Sequence, residues 1–342
     1  MSAHLEKKAS SQASFFAVIR RLFHSIPPIP SDITLAGKTA LVTGANVGLG
    51  LECCRDFLKL RPARLIMAVR SLKKGDAAAQ SLRADFPNTE IDVWEVNLVS
   101  FASVQAFAAR CDKELDRVDV AVLNAGFGTA KFARAEEGRR RELTLQVNYL
   151  STALLALLLL PKMRPTVSSP DPGRLTIVSS DAALGMKLKD PGSGTILDSL
   201  DKPESFSGFL QYSYSKLLIT MFTAKLAQVV DPAEVIINSC NPSATKGTGF
   251  LVNIESVFVK ALMGAWMSLM GRTTVEAARA YVLSSLVLGK ESHGSFTDWE
   301  IRAWPVMMYG EAGSRMVDRV WGETLDELSF AGVDGILKDL KP

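Results

Sequence analysis

From Lys38 onward, short apolar runs alternate with longer helical patterns, and the first run ends in Thr43-Gly44-Ala45-Asn46-Val47-Gly48-Leu49-Gly50 before a helical stretch from Leu51 to Leu60. The other runs are Arg64 to Val69, Ile91 to Val96, Val118 to Leu123, Leu175 to Ser179 and Val235 to Ser239. Little polar alternation within them is the mark of strands buried on both faces, and helices of ten or more residues supply the right-handed crossovers that parallel strands need. The pattern predicts an α/β fold, a single doubly wound parallel sheet of Rossmann type. No Pro/Gly/Ser-rich linker interrupts it, so we divide the chain into an arm over residues 1–36, one domain over 37–294 and a C-terminal extension over 295–342.

The arm begins polar, carries a short amphipathic run over residues 14–24 and ends in Ser25-Ile26-Pro27-Pro28-Ile29-Pro30. Its apolar face, Phe15, Ile19, Leu22 and Phe23, beside Arg20 and Arg21, has two readings. One is peripheral contact with a membrane surface, and the other, commoner for such arms, is packing on the chain's own domain. The strongest apolar run, Ala153 to Leu160, is cut by Pro161, so we expect no transmembrane segment. Phe15, Phe16, Val18 and Ile19 run at once into Arg20 and Arg21, unlike a secretory signal. The cysteines Cys53, Cys54, Cys111 and Cys240 form no CxxC pair, and together these features predict a cytoplasmic protein without disulfides. A net charge of +3 offers no electrostatic footprint for nucleic acid, and three histidines leave no multi-His metal site.

A glycine-rich turn between strand and helix lets backbone N–H groups and the positive helix terminus approach a pyrophosphate, which assigns Gly44, Asn46, Gly48, Leu49 and Gly50 to a dinucleotide. In NAD-binding sheets an acidic residue about 20 positions further on accepts the ribose hydroxyls. Here that count lands on Arg70, with Lys73 and Lys74 one turn later, a set suited to a ribose 2′-phosphate. NADP(H) is therefore the expected cofactor. The fourth strand ends in Leu123-Asn124-Ala125-Gly126, small residues at the edge where a cofactor would lie.

Tyr212 and Lys216 stand four residues apart at the start of a helical pattern, so their side chains share a face. A phenol of pKa near 10 becomes an acid–base group near neutrality when an ammonium stabilises its phenolate, and Lys216 is placed for that. Ser179 and Ser180 close a buried strand upstream, and Asn148 lies in the helical run Leu143 to Leu160. Tyr212 would donate a proton to a carbonyl oxygen to which Ser180 donates a hydrogen bond. Ser179 for Ser180 and Tyr214 for Tyr212 remain alternatives, though only Tyr212 has Lys at this spacing.

Taken together, these residues resemble the short-chain dehydrogenase/reductase family, in particular its fungal, retinol-dehydrogenase-like branch common in natural-product pathways. The resemblance runs from about Leu22 to Leu328 and rests on the segment Gly37 to Gly44, on Leu123-Asn124-Ala125-Gly126, Gln146-Val147-Asn148-Tyr149 and Tyr212 to Leu217, and on Asn241-Pro242, Gly271-Arg272-Thr273 and Ser292-His293-Gly294. It implies a tetrad of Asn148, Ser180, Tyr212 and Lys216, with Asn148 holding a water that links to Lys216. It also implies that Lys216 contacts the nicotinamide ribose, that Thr248 contacts the carboxamide or pyrophosphate region, and that Asn97, Leu98 and Pro242 border the cofactor. The chain departs from the family in three places. Asn97 stands where an adenine-binding Asp is usual, Ser243 follows Pro242 where glycine is usual, and 32 positions separate Ser180 from Tyr212, so that Leu184 to Gln211 form an extra loop beside the substrate entrance.

Phe250, Leu251, Val252, Phe258, Leu262, Met263, Trp266, Met267 and Met270 form an apolar segment, read either as packing or as a lid over a lipophilic substrate, and Trp304, Met307, Met308 and Tyr309 complete its pocket. His293 reads as a structural turn residue. Arg139-Arg140-Arg141 beside Glu136, Glu137 and Glu142 reads as a solvated helix start. The Leu154 to Leu160 helix is one that in the resembling family often packs in a homodimer interface. The expected activity is reduction of a ketone or aldehyde of a lipophilic small molecule, or the reverse oxidation. A non-redox step on the same fold, or an NADP-binding sensor, are the alternatives.

Overall fold

The computed structural model describes residues 2–135, 141–246 and 271–340. At its centre is an eight-stranded sheet in the order β3-β2-β1-β4-β5-β6-β7-β8. The first six strands are β1 (Thr39–Thr43), β2 (Arg64–Val69), β3 (Glu90–Glu95), β4 (Val120–Leu123), β5 (Gly173–Val178) and β6 (Val235–Cys240). These are the six that the apolar runs predict, all parallel to their neighbours. The order reverses between β1 and β4, which opens a crevice at the carboxyl ends where such sheets bind ligands.

Helices cover both faces. On one lie α3 (Gly48–Lys59), α4 (Leu72–Asp85) and α8 (Thr274–Val282), which share a core with β1 and β2 through Phe57, Leu65, Met67 and Tyr281. On the other lie α5 (Phe101–Glu114), α6 (Leu143–Met163), α7 (Gly208–Val229), α9 (Gly310–Leu328) and α10 (Val333–Asp339), packed around Trp94, Tyr149, Leu154 and Phe222. Alone among the described helices, α6 is long and apolar enough to cross a membrane by length and composition, yet 89% of its apolar window is buried inside the fold. It continues through Pro161 rather than ending there, and it holds a π-helical turn over Gln146–Ser151. Leu154, Leu155, Leu157, Leu159 and Leu160 are all buried by the chain's own helices, α10 included, and Leu158 is half-buried.

The segment after residue 294 joins the sheet. Phe296–Thr297 forms β7, parallel to β6, and Ile301–Arg302 forms β8, antiparallel to β7. Strands of two residues leave no periodicity to read in the sequence, because their side-chain alternation never repeats. The N-terminal arm forms α1 (Glu6–Ala13) and α2 (Phe15–Leu22) and packs on the domain. Ala9, Leu22 and Ile26 are buried, while Phe15, Phe16 and Phe23 stay exposed. The Ser2 amide donates to Ser295 Oγ (3.1 Å), its hydroxyl accepts from the Phe296 amide (2.9 Å), and its carbonyl accepts from the Tyr309 hydroxyl (2.7 Å).

Candidate active site

The glycine-rich turn needs glycine for two separate reasons. Gly44 and Gly48 have φ of +65° and +58°, in the left-handed region that other residues enter only at a cost. Gly50 is required by proximity, since a Cβ there would stand 2.3 Å from the Gly44 carbonyl oxygen and 2.7 Å from Asn124 Nδ2. No side chain caps the N-terminus of α3 behind the turn, so its leading amides have no side-chain acceptor. Asn124 pins the turn rather than facing outward. Its Nδ2 donates to the Thr43 carbonyl (2.8 Å) and its Oδ1 accepts from the Tyr281 hydroxyl (3.1 Å), while the Ala125 amide donates to Thr43 Oγ1 (2.9 Å).

At the end of β2, Arg70, Lys73 and Lys74 are exposed, and none forms an ion pair with another described residue. Asn97 turns its Oδ1 to the Val99 amide (3.2 Å), and Leu98 is buried in the core, so only its backbone borders the crevice. Pro242 is buried after β6. Ser243 has φ of +64°, so the position where the resembling family places glycine demands the left-handed conformation here too. Thr248 and the segment 250–270 lie outside the described residues.

Beyond the carboxyl ends of β4, β5 and β6 the predicted tetrad comes together. The Tyr212 phenol is half-buried, hydrogen-bonds Ser180, and lies with its ring centroid 5.7 Å from Lys216 Nζ. Lys216 Nζ donates to the Val178 carbonyl (2.9 Å). The Asn148 side chain, on the π turn of α6, clamps the Phe127 backbone, accepting from its amide (2.9 Å) and donating to its carbonyl (2.8 Å), and it also donates to Ser215 Oγ (3.1 Å). Asn148 Oδ1 and Lys216 Nζ converge on Gly126, standing 3.1 and 3.3 Å from where a Cβ there would be. A π turn re-aims the residues it carries, which is why such turns recur at sites like this.

The electrostatics differ from the sequence expectation in sign. Burial raises the Tyr212 pKa, the Ser180 hydrogen bond lowers it, and the Asp181 charge raises it further; burial is the largest effect. Burial also brings Lys216 down to about 8, so it remains largely an ammonium near neutrality. The phenol is thus held protonated, the form an acid needs.

Ser179 and Tyr214 do not compete for these roles. Adjacent strand residues point to opposite faces, so Ser179 turns inward to donate to the Lys216 carbonyl (3.0 Å) while meeting Thr220 Oγ1 (2.7 Å). Tyr214 packs on the core. His293 is structural: its Nδ1 accepts from the Ile237 amide (3.1 Å) and its Nε2 donates to the Ala227 carbonyl (2.7 Å), which requires a neutral ring.

Arg141 and Glu142 are buried, not a solvated helix start. Arg141 Nη2 meets Glu327 Oε2 at 2.9 Å, and Nη1 meets Asp198 and, at 3.6 Å, Asp201. Arg139, Arg140, Glu136 and Glu137 lie outside the described residues. The loop after Ser180 is likewise fastened. Glu323 of α9 accepts from the Ile196 (2.9 Å) and Leu197 (3.1 Å) amides, and Arg319 meets Asp190 at 2.6 Å. Of the predicted pocket residues Met307 docks on it, its Sδ accepting from the Leu188 amide (3.2 Å), and the neighbouring Val306 amide donates to the Leu184 carbonyl (3.2 Å).

Sequence reasoning missed Tyr281, Asp181 and Arg21 as neighbours of the site. Asp181 adjoins Ser180 and was legible by adjacency, but Tyr281 and Arg21 carry no local signal.

Comparison with known proteins agrees with this geometry. The family described as short chain dehydrogenase matches residues 38–192. Short chain dehydrogenase virL of Hypocrea virens is 43% identical over 345 residues, covering 100% of this chain and 99% of that protein. Short chain dehydrogenase opdN of Penicillium oxalicum is 44% identical over 304 residues, covering 86% and 97%. Among solved structures, L-sorbose reductase from Gluconobacter frateurii, complexed with NADPH and L-sorbose, superposes with a TM-score of 0.60 at 20% identity, covering 80% of this chain and 98% of that one. Carbonyl reductase Sniffer of D. melanogaster gives 0.56 at 22% identity, covering 79% and 100%, and these two likenesses show the fold. The chain belongs to the short-chain dehydrogenase/reductase family. It is an oxidoreductase whose family uses a nicotinamide dinucleotide and a small-molecule substrate.

Proposed function

We infer that this enzyme is an NADPH-dependent reductase of a ketone or aldehyde on a lipophilic small molecule, reversible as an alcohol dehydrogenase. The observation that carries the reading is a half-buried phenol, kept protonated, bonded to Ser180 and backed by the Lys216 ammonium at the open edge of the sheet. Gly44, Asn46, Gly48, Leu49 and Gly50 would hold the pyrophosphate, where the missing Cβ atoms and the uncapped α3 terminus leave a cradle for it. Arg70 and Lys74 would hold a 2′-phosphate, and the backbone at Asn97, Leu98, Ala125 and Gly126, with Pro242 and Lys216, would border the rest. When bound, the cofactor supplies the hydride.

Tyr212 donates its proton to the carbonyl oxygen, and Ser180 donates a hydrogen bond to the same oxygen, so negative charge never develops there unopposed. Lys216 stabilises the phenolate left behind, and the Val178 carbonyl fixes its direction. Asn148 orders the Phe127 backbone at the entrance and shares with Lys216 the space beside Gly126. The fastened loop after Ser180, with Trp304, Met307 and Met308, supports an apolar substrate. Four buried thiols without disulfides support a reducing compartment.

The test is NADPH consumption by purified protein across a panel of lipophilic ketones and aldehydes, with Tyr212→Phe as control. Turnover should fall at least about a hundredfold in the variant while NADPH binding persists. Full turnover by Tyr212→Phe would refute the reading.

A further inference from the structure

Asp181 follows Ser180 directly and opens the 3₁₀ turn Asp181–Ala183 beyond β5. Its amide donates to Asn241 Oδ1 (3.1 Å), and its carboxylate meets Arg21 Nη2 at 3.0 Å, with the two side chains only 14% and 8% exposed. Arg21 comes from α2, outside the residues 38–192 that the family match covers. The arm is held so that the guanidinium reaches inward. Arg21 Nη2 also donates to the Gln12 carbonyl (3.3 Å), the Arg21 carbonyl accepts from Arg272 Nη2 (2.6 Å), and Gln12 Oε1 accepts from the Ala303 amide (2.9 Å).

We propose that Arg21 is a positioning residue of the catalytic site: it neutralises the Asp181 carboxylate beside Ser180 and Tyr212, which makes the N-terminal arm part of the active-site wall. This rests on the assignment of Tyr212 as the acid. The other charged or titratable groups facing the pair are few and engaged elsewhere. From the β7–β8 turn comes Asp298 and from β8 comes Arg302, which meet each other at 2.8 Å. From α7 come Lys216, bonded to Val178, and Tyr212 itself; from α8 comes Tyr281, bonded to Asn124. Arg21 is thus the cation in direct contact with Asp181, while Arg302 acts on it from further away and is itself paired with Asp298. A bare carboxylate at this position would oppose loss of the proton from Tyr212, because two negative charges would then share a poorly solvated corner. With Arg21 in place the carboxylate's field still raises the phenol's proton affinity, but the guanidinium at 3.0 Å weakens it.

The experiment is a pH titration of tyrosinate absorbance on the full chain, each protein measured against its own Tyr212→Phe counterpart so that only this phenol contributes to the difference. Arg21→Gln should move the midpoint to higher pH by about one pH unit, and Asp181→Asn should move it lower, since the guanidinium then acts unopposed. Arg21→Gln/Asp181→Asn should return it close to wild type, and Arg21→Lys should keep most of the original value. A merely structural role would lower the melting temperature of Arg21→Gln and leave the midpoint in place, and that result overturns the proposal. If Arg21→Gln does not fold, Asp181→Asn decides by the same criterion. The titration requires no substrate, so turnover surviving Tyr212→Phe would refute the reductase reading while this test still reported on Arg21.

Discussion

The two ends of the crevice treat charge in opposite ways. At the end of β2, Arg70, Lys73 and Lys74 stand exposed and without ion pairs to other described residues. Around Ser180 and the loop after it, three buried or partly buried pairs match opposite charges, Arg21 with Asp181, Arg302 with Asp298 and Arg141 with Glu327, and Lys216 is held by the Val178 carbonyl. A cation in water is inexpensive to leave unpaired and can wait for a phosphate, whereas a charge removed from water must find its partner within the fold. The unpaired end is thus built to meet a ligand, and the paired end to hold a shape.

The largest effect should come from breaking the paired end. Arg141→Met removes the guanidinium that stands between Glu327, Asp198 and Asp201, and we expect a loss of about 3–5 kcal/mol in denaturant unfolding. Loss below about 1 kcal/mol would show that the cluster is more hydrated than its burial implies. Breaking the unpaired end should do the reverse. Arg70→Ala should leave stability nearly unchanged but remove about 1.5–3 kcal/mol of preference for NADPH over NADH, roughly a 10- to 100-fold change in the ratio of dissociation constants. An unchanged ratio would mean that the cation is only a solvated strand end.

Smaller effects sharpen the contrast. Ser243→Gly relieves a left-handed backbone conformation between the two ends and should stabilise the protein by about 1 kcal/mol, read as a higher melting temperature. A lower melting temperature would mean that the serine side chain contributes more than the strain costs. The least effect should come from His293, whose pKa burial lowers. The unfolded chain takes up the proton near pH 6.5 and the folded one only at lower pH, so stability should decline as pH falls below the unfolded value. His293→Gln should flatten that decline, and an equally steep one in the variant would assign the acid sensitivity to the buried carboxylates.

Much of this site was legible because its signals are local. The strand, the glycine turn and the helix of β1–α3 lie within a few residues, and so do Tyr212 and Lys216 on one turn of α7. Ser180 against Ser179 was half legible: strand alternation says the two diverge, but only packing on α7 says which one turns inward. Arg141 and Glu142 were misread because a charge run looks solvated when the partners that bury it lie 57 and 186 positions away. The strands β7 and β8 were too short to leave a pattern.

The sequence by itself determined the doubly wound sheet, the family and the chemical groups of the tetrad, since hydrophobic period and motif spacing act over short windows. Only the tertiary structure decided that burial raises the Tyr212 proton affinity, that Asn124 pins the turn, and that an arm 160 positions distant answers Asp181. Proton affinity depends on desolvation and on charges close in space, and neither is a property of any stretch of chain taken alone.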